Sequence, residues 1–281
     1  MQSFGIFANE YKDRNLEFSR KIATYIRSKG AKAQILKKGD SFDGVEVVLV
    51  LGGDGTMIRT ATMLGKENIP LVGVNLGTLG YLCELEEDTV FPAIDCLLSD
   101  DYLLETRMML TGAQVSSKDE SWDSTDWMKD SDANSALNDI VLHRSNEMCV
   151  LSFHVYVNGM FLATYRADGI ILSTPTGSTG YNMSAGGPIV DPKASIILLT
   201  PINAHNLNSK SIVLTADDVI EIEVGTSREE QDEKAIVSFD GDIAMVLKVN
   251  DRIRIAKADK ETYICKVQNE SFLEILRRKM N

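Results

Sequence analysis

The apolar run VEVVLVL at 45–51 ends in Gly52-Gly53-Asp54-Gly55-Thr56, and Met57, Ala61 and Leu64 then recur at helical spacing. A strand that hands over to a helix through glycines is suited to hold phosphate. The first turn of the helix has unpaired N–H groups and the positive end of the dipole, and glycine lets the backbone approach an anion closely. Neither GxGxxG nor GxxxxGK[ST] is present here, and the loop itself has no lysine to neutralise phosphate. It has Asp54, which would repel phosphate. Three roles fit an acid in this place: a helix N-cap, a Mg²⁺ contact beside a polyphosphate, or a general base for a hydroxyl nucleophile.

A second chemically dense run is DGIILSTPTGSTGYNMSAGGPIVDP at 168–192. It combines Asp168, hydroxyls at 173, 174, 176, 178 and 179, Tyr181, and glycines at 169, 177, 180, 186 and 187. Such a run suits a sugar, a phosphate and a flat ring; it equally suits a well-turned β connection.

The elements that must position these residues change character along the chain. Strands are expected at 3–8, 33–36, 45–51 and 69–75, alternating with helices at 13–29, after Gly55, and at 89–98, which predicts an α/β layer. From about Arg107 the pattern becomes all-β, with turns at VNGMF, TADDV and FDGD, and reads as a sandwich or packed sheets. SFLEILRRKM then returns to helix, opened by a Ser271/Glu274 capping box. An acidic, serine-rich stretch at 117–135 holds both tryptophans, Trp122 and Trp127, and reads as a solvated insertion, with a lid or subunit contact as the alternative.

The chain has 281 residues and a formal net charge of -12, which argues against non-specific binding to nucleic acid or anionic membranes while allowing a local basic pocket. Cys83, Cys96, Cys149 and Cys265 are too scattered for a CxxC pair or a thiolate metal site and read as free thiols in a reducing compartment. No signal-peptide pattern or membrane-length apolar run is seen, so a cytoplasmic location is expected. His143, His154 and His205 suggest structural roles rather than a metal site.

Taken together, GGDGT (52–56), NLGTLGYL (75–82), LND (137–139), YRADGIILSTPTGSTGYNMSAGGPIV (165–190), PINAHNLNSKSIVL (201–214) and SFDGD (238–242) resemble, in order, the motifs of the NAD kinase family. GGDGT alone is shared with diacylglycerol- and sphingosine-type lipid kinases and, more distantly, phosphofructokinases; the later motifs carry the assignment. The resemblance implies an N-terminal Rossmann-like α/β domain (1–106 plus about 264–281) and a β-sandwich-like, NAD-binding domain (107–263), with the C-terminal segment returning to the first. It implies transfer of phosphate from ATP, with Mg²⁺ or another divalent metal carried by ATP and no dedicated protein ligand set, to the 2′-hydroxyl of the adenosine ribose of NAD. A homodimer or homotetramer is implied too.

By resemblance, Asp54 is the general base. Gly52, Gly53, Gly55, Thr56 and Arg59 surround the ATP phosphates. Asn75, Tyr81, Asn138, Asp139, Arg166, Asp168, Thr176, Thr179, Gly180, Tyr181 and Ser184 surround NAD. Tyr81 stands where Phe is more usual and Gly180 where Ala is common, leaving more room near the ligand. The rival expectations are another GGDGT kinase acting on a lipid or sugar phosphate, and a non-catalytic dinucleotide sensor; the second leaves Asp54 unexplained.

Overall fold

The structure is a computed structural model that describes residues 1–65, 67–77, 80–115, 127, 134–145, 151–205, 210–225, 234–268 and 270–280. Most of the acidic stretch at 117–135, together with Thr78, Leu79, Cys149 and 206–209, lies outside the described residues. The chain divides into unit 1, Met1–Arg107 with Glu261–Asn281, and unit 2, Met108–Lys260. The expected succession of an α/β fold and an all-β fold is what the structure has.

Unit 1 opens with β1 (Ser3–Ala8), α1 (Glu17–Ser28), β2 (Lys32–Leu36), β3 (Val47–Gly52), α2 (Asp54–Met63), β4 (Leu71–Asn75) and α3 (Val90–Leu98). The strands pair in parallel in the order β2-β1-β3-β4. All six residues of β3 are buried, which is why its sequence is an unbroken apolar run rather than an alternating one. Phe4, Ile6, Leu49, Leu51, Val72 and Val74 join Ile22 and Ile26 of α1 and Ile94 and Leu97 of α3 in one core. Val48 and Val50, of opposite parity, are equally buried on the other face.

The strand order places a topological switch point between β1 and β3. The chain leaves β1 toward β2 and leaves β3 toward β4, so the loops after both strands open a crevice at their carboxyl ends. Asn9 N–H donates to the Leu51 carbonyl at 2.8 Å, tying the loop after β1 to the residue just before Gly52. Asp13, buried in that loop, accepts from the Phe18 and Ser19 N–H groups and from the Ser19 hydroxyl, fixing the entry to α1.

The chain passes into unit 2 through β5 (Leu103–Val115), followed by β6 (Asn134–Ala136), β7 (Asp139–Arg144), β8 (Leu151–Val157), β9 (Met160–Ala167) and β10 (Gly169–Ser173). A 3-10 turn at Thr176–Thr179 leads to α4 (Tyr181–Ser184). Then come β11 (Ile196–Ile202), β12 (Ile212–Thr215), β13 (Ile220–Gly225), β14 (Lys234–Phe239), β15 (Asp242–Lys248) and β16 (Arg252–Lys266). One antiparallel sheet runs β12-β11-β10-β7-β14-β15. The other strands of the unit include β13 paired antiparallel with β8 and β16, and β8 with β9. Inward residues of both sheets, among them Phe153, Ile222, Ile253, Leu142, Leu172 and Val237, form a single core, so unit 2 is a sandwich.

Turn chemistry sets the hairpins. Asn158 and Gly159 both have positive φ between β8 and β9, as do Asp240 and Gly241 between β14 and β15. Beyond β16, α5 (Phe272–Met280) belongs to unit 1. Its capping box is formed: the Ser271 N–H donates to the Glu274 carboxylate at 2.7 Å and the Glu274 N–H to the Ser271 hydroxyl at 3.3 Å. The segment before the helix is held by Glu84, whose carboxylate accepts from Val267 N–H and pairs with Lys266 Nζ at 3.1 Å, both side chains buried.

Candidate active site

In unit 1, Asn9, Lys12, Gly53, Asp54, Gly55, Thr56, Arg59, Gly80 and Lys279 line a cleft of about 380 Å³ at the carboxyl ends of β1 and β3. No apolar side chain lines it, and three cations, Lys12, Arg59 and Lys279, face one carboxylate. Arg59 folds back along α2, its Nε donating to the Gly55 carbonyl at 3.3 Å, so its charge lies over the first turn. Lys279 reaches the cleft from α5 with Nζ 4.5 Å from the centre of the Tyr81 ring. Lys12 comes from the loop after β1. The GGDGT loop has no lysine, but the fold supplies two from remote parts of the chain, together with Arg59 from within α2.

Asp54 is the first residue of α2 and does not cap it; Gly53 is the cap position and no side chain bonds there. Its carboxylate instead reaches the turn after β4. Tyr81 N–H donates to Oδ2 at 2.6 Å, and Leu82 and Cys83 N–H to Oδ1 at 3.1 and 3.4 Å. The approach is so close that a Cβ on Gly80 would lie 1.9 Å from Oδ1. The glycine of the NLGTLGYL stretch and the acid of the GGDGT loop are therefore one device. The cleft thus presents a carboxylate whose orientation three backbone donors fix. Gly52 lies behind the loop, in register with Asn75. Asn75 is buried; its Nδ2 donates to Gly77 O, and among the described residues its Oδ1 has no partner.

In unit 2, Asn138, Asp139, Val141, His143, Tyr181, Ser238, Asp240 and Gly241 line a cleft of about 400 Å³. Asp240 repeats the device of Asp54: Leu137, Asn138 and Asp139 N–H groups donate to its carboxylate at 2.7, 2.7 and 3.2 Å. Asp139 starts β7 opposite Ser173 of β10. It is 6% exposed, and burial, then the neighbouring Asp240, push its carboxyl up to about 7. Burial raises Asp240 as well, against the three N–H bonds that lower it.

The 176–190 run covers the outer face of β7, β10 and β11, with Ala185 against Val141, Ile171 and Ile202. A Cβ on Gly177 would fall 2.1 Å from the Asn138 carbonyl, so glycine lets the turn close over Asn138. Gly180 sits beside the same pair: a Cβ there would be 3.5 Å from Asn138 Nδ2 and 4.0 Å from Asp139 Oδ2. Tyr181 is 44% exposed, a flat ring offered to the cleft.

Of the five hydroxyls, four are used inside the turn. Ser173 and Thr174 bond the Asn138 and Leu137 carbonyls, Ser178 the Val190 backbone, and Thr179 the Thr176 carbonyl. Thr176 Oγ1 is buried without a partner among the described residues, as is Asn138 Oδ1. Asp168 pairs with Arg144 at 2.9 Å and accepts from Asn203 Nδ2 at 3.0 Å. Asp168, Arg166 and Ser184 do not line the cleft, the last two being exposed.

Sequence reasoning missed Lys12, Lys279, Gly80, His143 and Ser238. Asp240-Gly241 was legible from the FDGD turn. Lys12 had no local signal, because its place depends on the pairing of β1 with β3.

Residues 7–102 match the family model of the ATP-NAD kinase N-terminal domain and residues 137–267 that of the C-terminal domain. The NAD kinase of Agathobacter rectalis is 53% identical over 292 residues, covering 100% of this chain and 99% of its own. That of Lachnoclostridium phytofermentans is 41% identical over 289 residues, covering 99% of both. A crystal structure of yeast NADH kinase complexed with NADH superposes with a TM-score of 0.84 at 22% identity, over 100% of this chain and 87% of that one. An NAD kinase from Archaeoglobus fulgidus in complex with ATP gives 0.78 at 21%, over 99% and 98%. With its motifs in order and its length matched end to end by these relatives, the chain belongs to the ATP-NAD kinase family.

Proposed function

We propose that this protein is an NAD kinase: it transfers the terminal phosphoryl group of ATP to the 2′-hydroxyl of the adenosine ribose of NAD, giving NADP and ADP. The observation that carries the reading is Asp54, a carboxylate aimed by three backbone N–H groups in a cleft otherwise lined by cations, glycines, Asn9 and Thr56. A carboxylate is far too weak a base to ionise a free alcohol. It accepts the proton as the O–P bond forms and the hydroxyl becomes acidic. Gly53, Gly55 and Thr56 at the start of α2, with Arg59, suit the charge spread over the transferring phosphoryl oxygens.

Asn138 and Asp139 suit a ribose diol, since one carboxylate accepts from two hydroxyls; Tyr181 suits a flat ring, and Thr176 and Gly180 border the same place. Asn75 and Tyr81 adjoin the GGDGT loop, the first in register with Gly52 and the second donating its N–H to Asp54. Arg166, Asp168 and Ser184 stay in the proposal as outer contacts. Asp54 is the one carboxylate among the residues lining the unit 1 cleft, so Mg²⁺ fits best as part of the ATP complex, neutralising its phosphates.

The described cysteines are free thiols, which suits the reducing cytoplasm. A homodimer or homotetramer would cover the exposed Met160 and Phe161 of β9 or Ile243 and Val246 of β15. The test is to mix protein, NAD, ATP and Mg²⁺ and to assay NADP with an NADP-specific dehydrogenase. NAD binding with no NADP formed from any phosphoryl donor would refute the kinase reading in favour of a dinucleotide sensor.

A further inference from the structure

We propose that Lys12 is the donor-phosphate lysine of this enzyme, delivered over the GGDGT loop from the loop after β1. The inference rests on the kinase reading and assigns a residue to its donor side. Three observations carry it. First, Lys12 Nζ lies over glycine backbone: it is 3.4 Å from where a Cβ on Gly53 would be and 3.0 Å from where one on Gly77 would be. It therefore occupies the notch between the loops after β3 and β4. Second, its base is fixed. Lys12 N–H donates to the Asn9 carbonyl at 2.9 Å, Asn9 N–H is bonded to Leu51, and the next residue, Asp13, is buried and fully bonded. Third, among the described residues no carboxylate pairs with Lys12, and none but Asp54 lines the cleft.

An ammonium set beside the positive end of α2, near Arg59 and Lys279, repels its neighbours. With three cations against the single Asp54 carboxylate among the residues lining the cleft, a polyanion suits the excess of positive charge. In a GxxxxGK[ST] loop the lysine is part of the loop. Here an adjacent parallel strand supplies it, which the switch point between β1 and β3 makes possible. That leaves the first position of the helix to the acid.

The test uses Lys12→Ala, Lys12→Gln and Lys12→Arg in the full chain, with Lys21→Ala, an exposed lysine on α1, as the charge-matched control. Two readouts are taken: steady-state KM for ATP and for NAD, and the Kd for inorganic tripolyphosphate by calorimetry. Loss of one charge-assisted phosphate contact weakens binding by about 10- to 100-fold. The expected result is that rise in KM for ATP and in the tripolyphosphate Kd for Lys12→Ala and Lys12→Gln. KM for NAD should stay within about twofold, Lys12→Arg should recover most of the loss, and Lys21→Ala should match wild type. An active wild type whose Lys12→Ala keeps the ATP KM and tripolyphosphate Kd overturns the assignment. A wild type that makes no NADP but loses tripolyphosphate affinity with Lys12 refutes the kinase reading and leaves the lysine assignment standing.

Discussion

Gly80→Ala is the sharpest probe of how Asp54 is held. The added Cβ would lie 1.9 Å from Oδ1 and 2.3 Å from Cγ, whereas real Cβ atoms do not approach closer than 3.0 Å. The carboxylate or the turn must therefore move by about 1.1 Å. A displacement of that size in a reacting group costs on the order of 100-fold in rate. It also strains hydrogen bonds to a charged group, each contributing about 1.5–3 kcal/mol, so losing one of the three destabilises by about 1.5–3 kcal/mol. At about 2–4 °C per kcal/mol this lowers Tm by roughly 3–12 °C. The assays are steady-state NADP formation and thermal unfolding, run on a double-mutant cycle with Asp54→Ala. Removing the Asp54 side chain removes the clash, so Gly80→Ala should then shift stability by less than about 1 kcal/mol. A Gly80→Ala enzyme with wild-type kcat and Tm would refute the claim that these two residues act as one device.

Asp54→Asn should fold and keep its NAD affinity while losing at least about 100-fold in turnover, measured by the NADP assay; near-normal turnover would assign the base elsewhere. Asp139, held near 7 in the folded state against an ordinary 3.8, binds its proton more tightly folded than unfolded. Its contribution to stability is full below about pH 4 and fades as pH rises through 7, by up to about 4 kcal/mol. Asp139→Asn should therefore flatten the stability profile between pH 5 and 8 in denaturant titrations. In the same range KM for NAD in the wild type should fall as pH rises, because the ionised carboxylate is the better acceptor for a diol. Glu84→Ala leaves Lys266 buried without its counter-charge and should destabilise unit 1 by about 3–5 kcal/mol, read from urea unfolding.

The fold was legible where burial is two-sided or strictly alternating. The all-buried β3 and the alternating β13 and β14 announce themselves by composition alone. So do the positive-φ pairs Asn158-Gly159 and Asp240-Gly241. The site was legible only as far as it is local. GGDGT marks its own strand-to-helix turn, but the donors that orient Asp54 come from residues 81–83, and no spacing rule ties them to position 54. The density of hydroxyls at 173–179 could not tell bonds within the turn from bonds offered outward, because both uses select the same residue types. Only the paired partners separate Thr176 from its four neighbours. The reading of Asp54 as a helix cap failed because its side chain is too committed across the sheet end to turn back on its own helix.

Unit 1 is built from residues 1–107 and 261–281, with the whole of unit 2 between them. During synthesis its sheet therefore begins first and is finished last. At about 5–20 residues per second, roughly 8–30 s separate Arg107 from Glu261. Throughout that interval the nascent chain carries GGDGT and Lys12 but lacks Lys279 and the Lys266 that neutralises Glu84. The order of translation thus keeps the unit 1 cleft incomplete until the whole of unit 2 has been made.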